Sequence, residues 1–230
     1  MPYLVFLPPG YDSDRAARFP ALYMLHGLGG DLTEWTEYRI FEEADALIRA
    51  GEIPPLLIVL PEGGQSYWVD HAGGPRWGTY TARDVTAEID GRYRTLADPD
   101  HRAVGGNSMG AHAALQLAMN FPDVFRVAGA HSPTLRGRDT LPPYFGDQAW
   151  FEAHDPATLI ARRPEVARSL RVWLDIGDGD FFLAPVTELH RRLDALGIPH
   201  QFHVLPGPHE DEYWRANVGR YLRFYGEAMR

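Results

Sequence analysis

Short apolar runs rich in β-branched and aromatic residues alternate along this chain with longer stretches in which apolar positions recur every three or four residues. The runs Tyr3–Leu7, Ala21–Leu25, Leu56–Leu60, Arg102–Gly105, Val127–Ala130, Leu170–Ile176 and Gln201–Leu205 read as strands. Helices are expected at about Thr36–Ala50, Thr81–Tyr93, Met109–Asn120, Pro156–Ser169, Pro185–Leu196 and Asp211–Met229. Strands that are apolar almost without interruption, and that helices separate, belong to a mostly parallel sheet covered on both faces. The fold class is therefore α/β, as one domain over residues 1–230. Only Pro133 to Arg168 departs from this rhythm, with Leu141-Pro-Pro-Tyr-Phe-Gly and Gln148-Ala-Trp-Phe outside any clear strand–helix unit. An insertion there is expected to lie above the C-terminal ends of the strands, as a small cap near 133–168.

Composition narrows the function. All 22 basic residues are arginine, so chemistry that needs a lysine amine, from Schiff bases to Walker-type phosphate loops, is excluded. A formal charge of −9 without an arginine stripe makes nucleic acid an unexpected partner. The longest apolar runs fall far short of the roughly 20 residues that span a bilayer, so no membrane association is expected. The opening Met-Pro-Tyr-Leu-Val-Phe-Leu-Pro-Pro lacks the basic start of a signal peptide, which points to a cytoplasmic address. The absence of cysteine fits either redox compartment.

The sharpest chemical signal is Gly106-Asn107-Ser108-Met109-Gly110, a G-x-S-x-G sequence between an expected strand and an expected amphipathic helix. Small residues at both glycine positions allow a tight, strained turn that lifts Ser108 above the sheet as a nucleophile. The bland alternative is a serine at an ordinary strand-to-helix turn. After the Ala21–Leu25 strand comes His26-Gly27-Leu28-Gly29-Gly30, which can place one backbone N–H beside that turn. The N–H groups of Leu28 and Met109 are the expected oxyanion donors. A dinucleotide fingerprint fails here because Leu32 stands where G-x-G-x-x-G needs its last glycine. His26 reads as structural.

Among ten histidines, His209 is the expected base, since Leu205-Pro-Gly-Pro-His lies late in the chain between the last strand and the last helix. His200 and His203 fall in a strand, and His190 and His112 in helices. The acid must come from Trp173-Leu-Asp-Ile-Gly-Asp-Gly-Asp-Phe-Phe. There Asp175 is still within the strand, Asp178 lies in the turn, and Asp180 emerges beyond it; Asp180 is favoured and Asp178 comes next. No ligand set for a catalytic metal is visible, and no metal or other cofactor is expected.

In this order the motifs resemble the esterase D and feruloyl-esterase branch of the α/β hydrolases, whose relatives include S-formylglutathione hydrolases and antigen 85 mycolyltransferases. The resemblance is carried by Leu7-Pro-Pro-Gly-Tyr-Asp, Leu25-His-Gly-Leu-Gly-Gly with Trp35, Ile58-Val-Leu-Pro-Glu-Gly, Tyr67 to Asp70, Ile89 to Thr95, the serine turn, Gly177-x-x-Asp180, and His209 with Tyr213-Trp214. It implies an α/β-hydrolase fold, a Ser108–Asp180–His209 triad, an oxyanion hole at Leu28 and Met109, and no cofactor. Ala111 departs from the further glycine of many relatives. Those relatives also carry strands before the Tyr3–Leu7 segment, so the first sheet edge is expected to be exposed or covered by a second copy in a homodimer.

The reading is a serine carboxylesterase acting on a small-molecule ester. Acyl transfer and thioester hydrolysis are enzymatic alternatives, and a binding protein that lost the chemistry is the remote one. Tyr67, Trp68, Trp150, Phe181 and Trp214, with Phe151 and Phe182, are the aromatic candidates for an apolar slot suited to short or hydroxycinnamoyl acyl groups; about half of them are expected in the core.

Overall fold

The computed structural model describes residues 2–230. Seven strands, β1 (Tyr3–Phe6), β2 (Ala21–Leu25), β3 (Leu57–Pro61), β4 (Arg102–Asn107), β5 (Val127–His131), β6 (Arg171–Gly177) and β7 (His200–Leu205), form one sheet in the order β1-β3-β2-β4-β5-β6-β7. β1 is antiparallel to β3 and occupies one edge, while every other pairing is parallel. The chain leaves β2 towards β3 on one side and returns to β4 on the other. This reversal opens a crevice at the C-terminal ends of β2 and β4, the place where open α/β sheets bind ligands. Register pairing of Leu25 with Gly106 sets the glycine turn after β2 directly beside the serine turn after β4.

The helices are α1 (Glu34–Glu37), α2 (Ile40–Arg49), α3 (Trp77–Thr79), α4 (Thr86–Arg92), α5 (Met109–Asn120), α6 (Gln148–Glu152), α7 (Pro156–Arg162), α8 (Pro164–Arg168), α9 (Leu183–Ala195) and α10 (Asp211–Ala228), with a π-helical stretch Tyr80–Val85 joining α3 to α4. Successive side chains of β2 feed opposite layers, as the two-residue period of a strand requires. Tyr23 and Leu25 pack into the core shared with α5 and α9, and Leu22 and Met24 into the core under α2 and α10. Every residue of α5 from Met109 to Met119 is buried, and its small alanines let it lie close against β4 and β5.

Three expected helices differ in detail. The Thr36–Ala50 segment is two helices, because Arg39 takes a left-handed conformation at φ 64°. The Thr81–Tyr93 helix begins earlier, at Trp77, and absorbs one π-helical stretch. Pro156–Ser169 divides before Pro164, whose ring excludes the α conformation from Arg163 and which has no N–H to continue the ladder.

The expected cap over 133–168 narrows to the part that precedes α7. α7 buries Leu159 and Ile160 and packs on α5 and α9, so α7 belongs to the helical layer of an ordinary crossover. The preceding part braces the loop after β3: Tyr144 donates to the Gln65 carbonyl (2.7 Å) and Trp150 to the Asp70 carbonyl (2.8 Å). No helix among the described residues is long and apolar enough to cross a membrane.

Beneath the crevice lies a fully buried polar cluster. Asp175 accepts hydrogen bonds from His131 Nδ1 (2.7 Å), Trp173 (2.6 Å), Tyr213 (2.6 Å) and Tyr221 (3.2 Å), while Tyr225 donates to His131 Nε2 (2.9 Å). Burial foremost, and then the Asp175 charge, push the phenols of Tyr213, Tyr221 and Tyr225 well above their ordinary range, so all three remain donors. Removing the carboxylate would leave the donors of His131, Trp173, Tyr213 and Tyr221 buried and unpaired. Asp175→Ala is expected to destabilise the fold by about 3–5 kcal/mol, measurable by urea unfolding, and a loss below about 1 kcal/mol would contradict this reading.

Candidate active site

Ser108 lies where β4 gives way to α5, at φ 52° and ψ −110°, a conformation that costs a non-glycine residue on the order of 1–3 kcal/mol. The surroundings impose it. A Cβ on Gly106 or on Gly110 would collide with the Leu25 carbonyl oxygen, so only glycine lets the turn close this tightly against β2. The Ser108 N–H is tied to the His131 carbonyl (3.0 Å), and the His112 N–H to the Ser108 carbonyl (3.1 Å).

The hydroxyl faces the loop after β7. Ser108 Oγ donates to His209 Nε2 at 2.8 Å, and His209 Nδ1 donates to Asp180 Oδ2 at 2.6 Å. An ionised carboxylate only accepts, so its contact with Nδ1 leaves Nε2 free to take the serine proton. The other oxygen of Asp180 accepts the Phe182 N–H at 2.7 Å, and its side chain is fully buried, whereas His209 keeps 11% exposure towards the crevice. Asp178, the second candidate acid, is exposed and accepts the Gly207 N–H (3.0 Å), steadying the loop that carries His209.

Of the two expected oxyanion donors, Met109 N–H is in the first turn of α5, where backbone donors have no helical partner. Leu28 lies between two occupied neighbours: Gly27 N–H donates to Glu34 (2.7 Å) and Gly29 N–H to Gln65 (2.7 Å). Gly27, Leu28, Asn107, Ser108, His209 and Trp214 share one cleft of about 450 Å³. A larger groove of about 790 Å³ runs between α2 and α10, but arginines and glutamates line it and it holds no nucleophile beside a base. Chemistry, not size, singles out the smaller cleft.

His26 is buried, accepts the Gly63 N–H through Nε2 (3.2 Å) and sits against Trp68, which makes it a tie between the loops after β2 and β3. The aromatic candidates separate sharply. Trp214 lines the cleft edge-on to His209 at 5.0 Å, and Phe181, 69% exposed, lies 4.9 Å from the same ring. Phe182, 5.5 Å from His209 and 4.6 Å from Phe181, is buried on the same side of the ring, and neither phenylalanine lines the cleft. Tyr67, Trp68 and Trp150 do not line the cleft, which corrects their expected place at its mouth. Tyr67 and Trp68 both take left-handed conformations, at φ 53° and 55°, that turn their rings into the core, where Trp68 donates to the His26 carbonyl (3.3 Å). Trp150 is spent on Asp70, and Phe151 is buried. Glu34 was invisible to motif reading, because nothing in Asp31-Leu-Thr-Glu-Trp signals a role; its partners come from the rest of the fold.

Among the described residues, one group has metal-ligand spacing: His190, Asp194 and His200, where α9 meets β7. Its two imidazoles hydrogen-bond directly at 2.8 Å, closer than the roughly 3.3 Å between two nitrogens of a tetrahedral zinc site. The direct bond accounts for their approach, and none of the three lines the cleft.

A mostly parallel sheet, a strained serine turn after one strand and a histidine–carboxylate pair on the loops after the last two define an α/β hydrolase. The family model described as "Putative esterase" matches residues 1–225, and the chain belongs to that family. An esterase of Mycobacterium tuberculosis is 30% identical over 244 aligned residues, covering 89% of this chain and 51% of its own. The chain thus spans about half the length of the curated relatives it matches. A ferulic acid esterase structure superposes with a TM-score of 0.86 at 26% identity, covering 98% of this chain and 92% of its own. An S-formylglutathione hydrolase from Agrobacterium tumefaciens gives 0.80 at 19% identity, covering 99% and 90%, and shares the fold.

Proposed function

We propose that the protein is a serine carboxylesterase, and the observation that carries this is the unbroken chain Ser108 Oγ–His209–Asp180 at a strained turn opening into a cleft. Ser108 Oγ attacks the ester carbonyl carbon while its proton passes to His209 Nε2. The carbonyl oxygen becomes an oxyanion held by the Leu28 and Met109 N–H groups. As the C–O bond to the alcohol breaks, His209 returns the proton to the leaving oxygen. Water then repeats the sequence on the acyl-enzyme, and Asp180 stabilises the imidazolium in both halves. These side chains supply nucleophile, base and orienting charge, so the reaction as written calls for no metal or cofactor.

The acyl group is a short chain or a hydroxycinnamoyl unit. Trp214 in the cleft and the exposed Phe181 offer aromatic faces beside His209, and the similarity to a ferulic acid esterase agrees with a planar acid. Four carboxylates line the cleft, those of Glu34, Glu210, Asp211 and Glu212, without an arginine. That lining disfavours a carboxylate-bearing thiol as leaving group and so favours the ester over the glutathione thioester. We expect kcat/KM to be at least tenfold higher for acetyl-to-butyryl or feruloyl esters than for palmitoyl esters assayed below their aggregation threshold. A palmitoyl preference would remove the slot.

A further inference from the structure

We propose that Glu34 is the positioning residue that holds the oxyanion-binding turn in register with the nucleophile, an inference that rests on the esterase reading above. Its carboxylate has three hydrogen-bond partners, two of them on the two turns of the site, while the third, Tyr38, shares its one proton between Glu34 and Asp211. Oε2 takes the Gly27 N–H at 2.7 Å; Oε1 takes Asn107 Nδ2 at 2.7 Å and the Tyr38 hydroxyl at 2.8 Å. Gly27 immediately precedes Leu28, whose N–H must meet the oxyanion, and Asn107 immediately precedes Ser108. One side chain thus clamps the two backbone segments whose separation fixes the oxyanion hole.

The clamp is itself anchored. Tyr38 OH also lies 2.7 Å from Asp211, the first residue of the helix that follows the His209 loop, so the same group of atoms reaches the third segment of the site. Burial first, and then the two carboxylates, push the Tyr38 phenol far above its ordinary range, so it remains a donor. A Cβ on Gly30 would strike the Glu34 carboxylate, and one on Gly27 would stand 3.1 Å from Asn107 Nδ2 and 3.6 Å from Ser108 Cβ. While Glu34 holds Gly27, the turn has no freedom to drift away from the serine.

This arrangement acts on the transition state. Ground-state ester makes little use of the oxyanion donors, whereas the tetrahedral intermediate depends on them, and misplacement by about 1 Å can cost 10²-fold in rate. Glutamine replaces the carboxylate poorly: with its oxygen kept for the Gly27 N–H, its NH₂ faces Asn107 Nδ2, donor to donor, although Tyr38 can turn its proton to Asp211 and accept.

The test compares wild type with Glu34→Gln and with Glu34→Asp, which keeps the charge but withdraws it by one methylene. Active sites are counted by the burst of p-nitrophenol, kcat and KM are measured per titrated site, and affinity is measured for a trifluoromethyl ketone that forms a hemiketal on Ser108. The expected result is a kcat about 10- to 100-fold lower, KM within about twofold, and ketone binding weakened in parallel with kcat. A purely structural residue would lower the number of titratable sites and leave kcat per site and ketone affinity intact; that outcome overturns the proposal. So does an unchanged kcat in either folded variant. If wild type itself shows no Ser108-dependent hydrolysis, the esterase reading fails first, and the two failures are told apart by that control.

Discussion

Ser108→Ala is expected to abolish hydrolysis while leaving the fold intact, with kcat falling by about 10⁶. The size follows from the loss of the only atom positioned to form the acyl-enzyme, since Oγ is the group that donates to His209 Nε2. Integrity of the fold follows from the backbone. The turn is held by the Ser108 N–H and carbonyl, by Gly106 and Gly110 packed against Leu25, and by the burial of α5, none of which involves the hydroxyl. Alanine faces the same left-handed strain as serine, so thermal unfolding should shift by no more than a few degrees. The checks are steady-state kinetics on a short p-nitrophenyl ester and a melting curve. Retention of more than a tenth of wild-type activity would take the nucleophile's role away from Ser108.

The parts of this molecule that sequence reveals are those encoded locally. Parallel strands buried on both faces read as unbroken apolar runs, which is why Ala21–Leu25 and the runs now in β3 to β6 stand out. The serine turn is similarly local, because its two glycines and flanking elements sit within a few residues. What escapes the sequence is decided across the fold. Tyr67 and Trp68 look like mouth-lining aromatics until their positive φ angles turn them inward, and nothing in Ser-Tyr-Trp-Val predicts that. Arg39 breaks a helix whose apolar spacing continues past it, and Pro156–Ser169 reads as cap until Leu159 and Ile160 are seen packed in the crossover layer. Glu34 lies 73 residues from Asn107, so its clamp on the serine turn can only be found in three dimensions.

The choice between the two aspartates of the Gly177–Asp180 turn was open in sequence, and their surroundings predict opposite fates for the same substitution. Asp180→Asn is expected to lower kcat by about 10⁴. The direction is set by Phe182, whose N–H needs an acceptor at the Asp180 Oδ1 position, 2.7 Å away. An asparagine there keeps its carbonyl oxygen towards Phe182 and must point its NH₂ at His209 Nδ1. A donor facing Nδ1 forces that nitrogen to accept, which moves the ring proton to Nε2 and blocks uptake of the Ser108 proton. The lost carboxylate also leaves the imidazolium of the transition state without its counter-charge. Asp178→Asn, by contrast, retains a carbonyl oxygen for the Gly207 N–H at an exposed position and should stay within about threefold of wild type. Rates for the two variants on one short-chain ester decide the matter. If Asp178→Asn were the crippled enzyme and Asp180→Asn the mild one, the orienting role would belong to Asp178, and the 2.6 Å contact between His209 and Asp180 would be a structural ion pair.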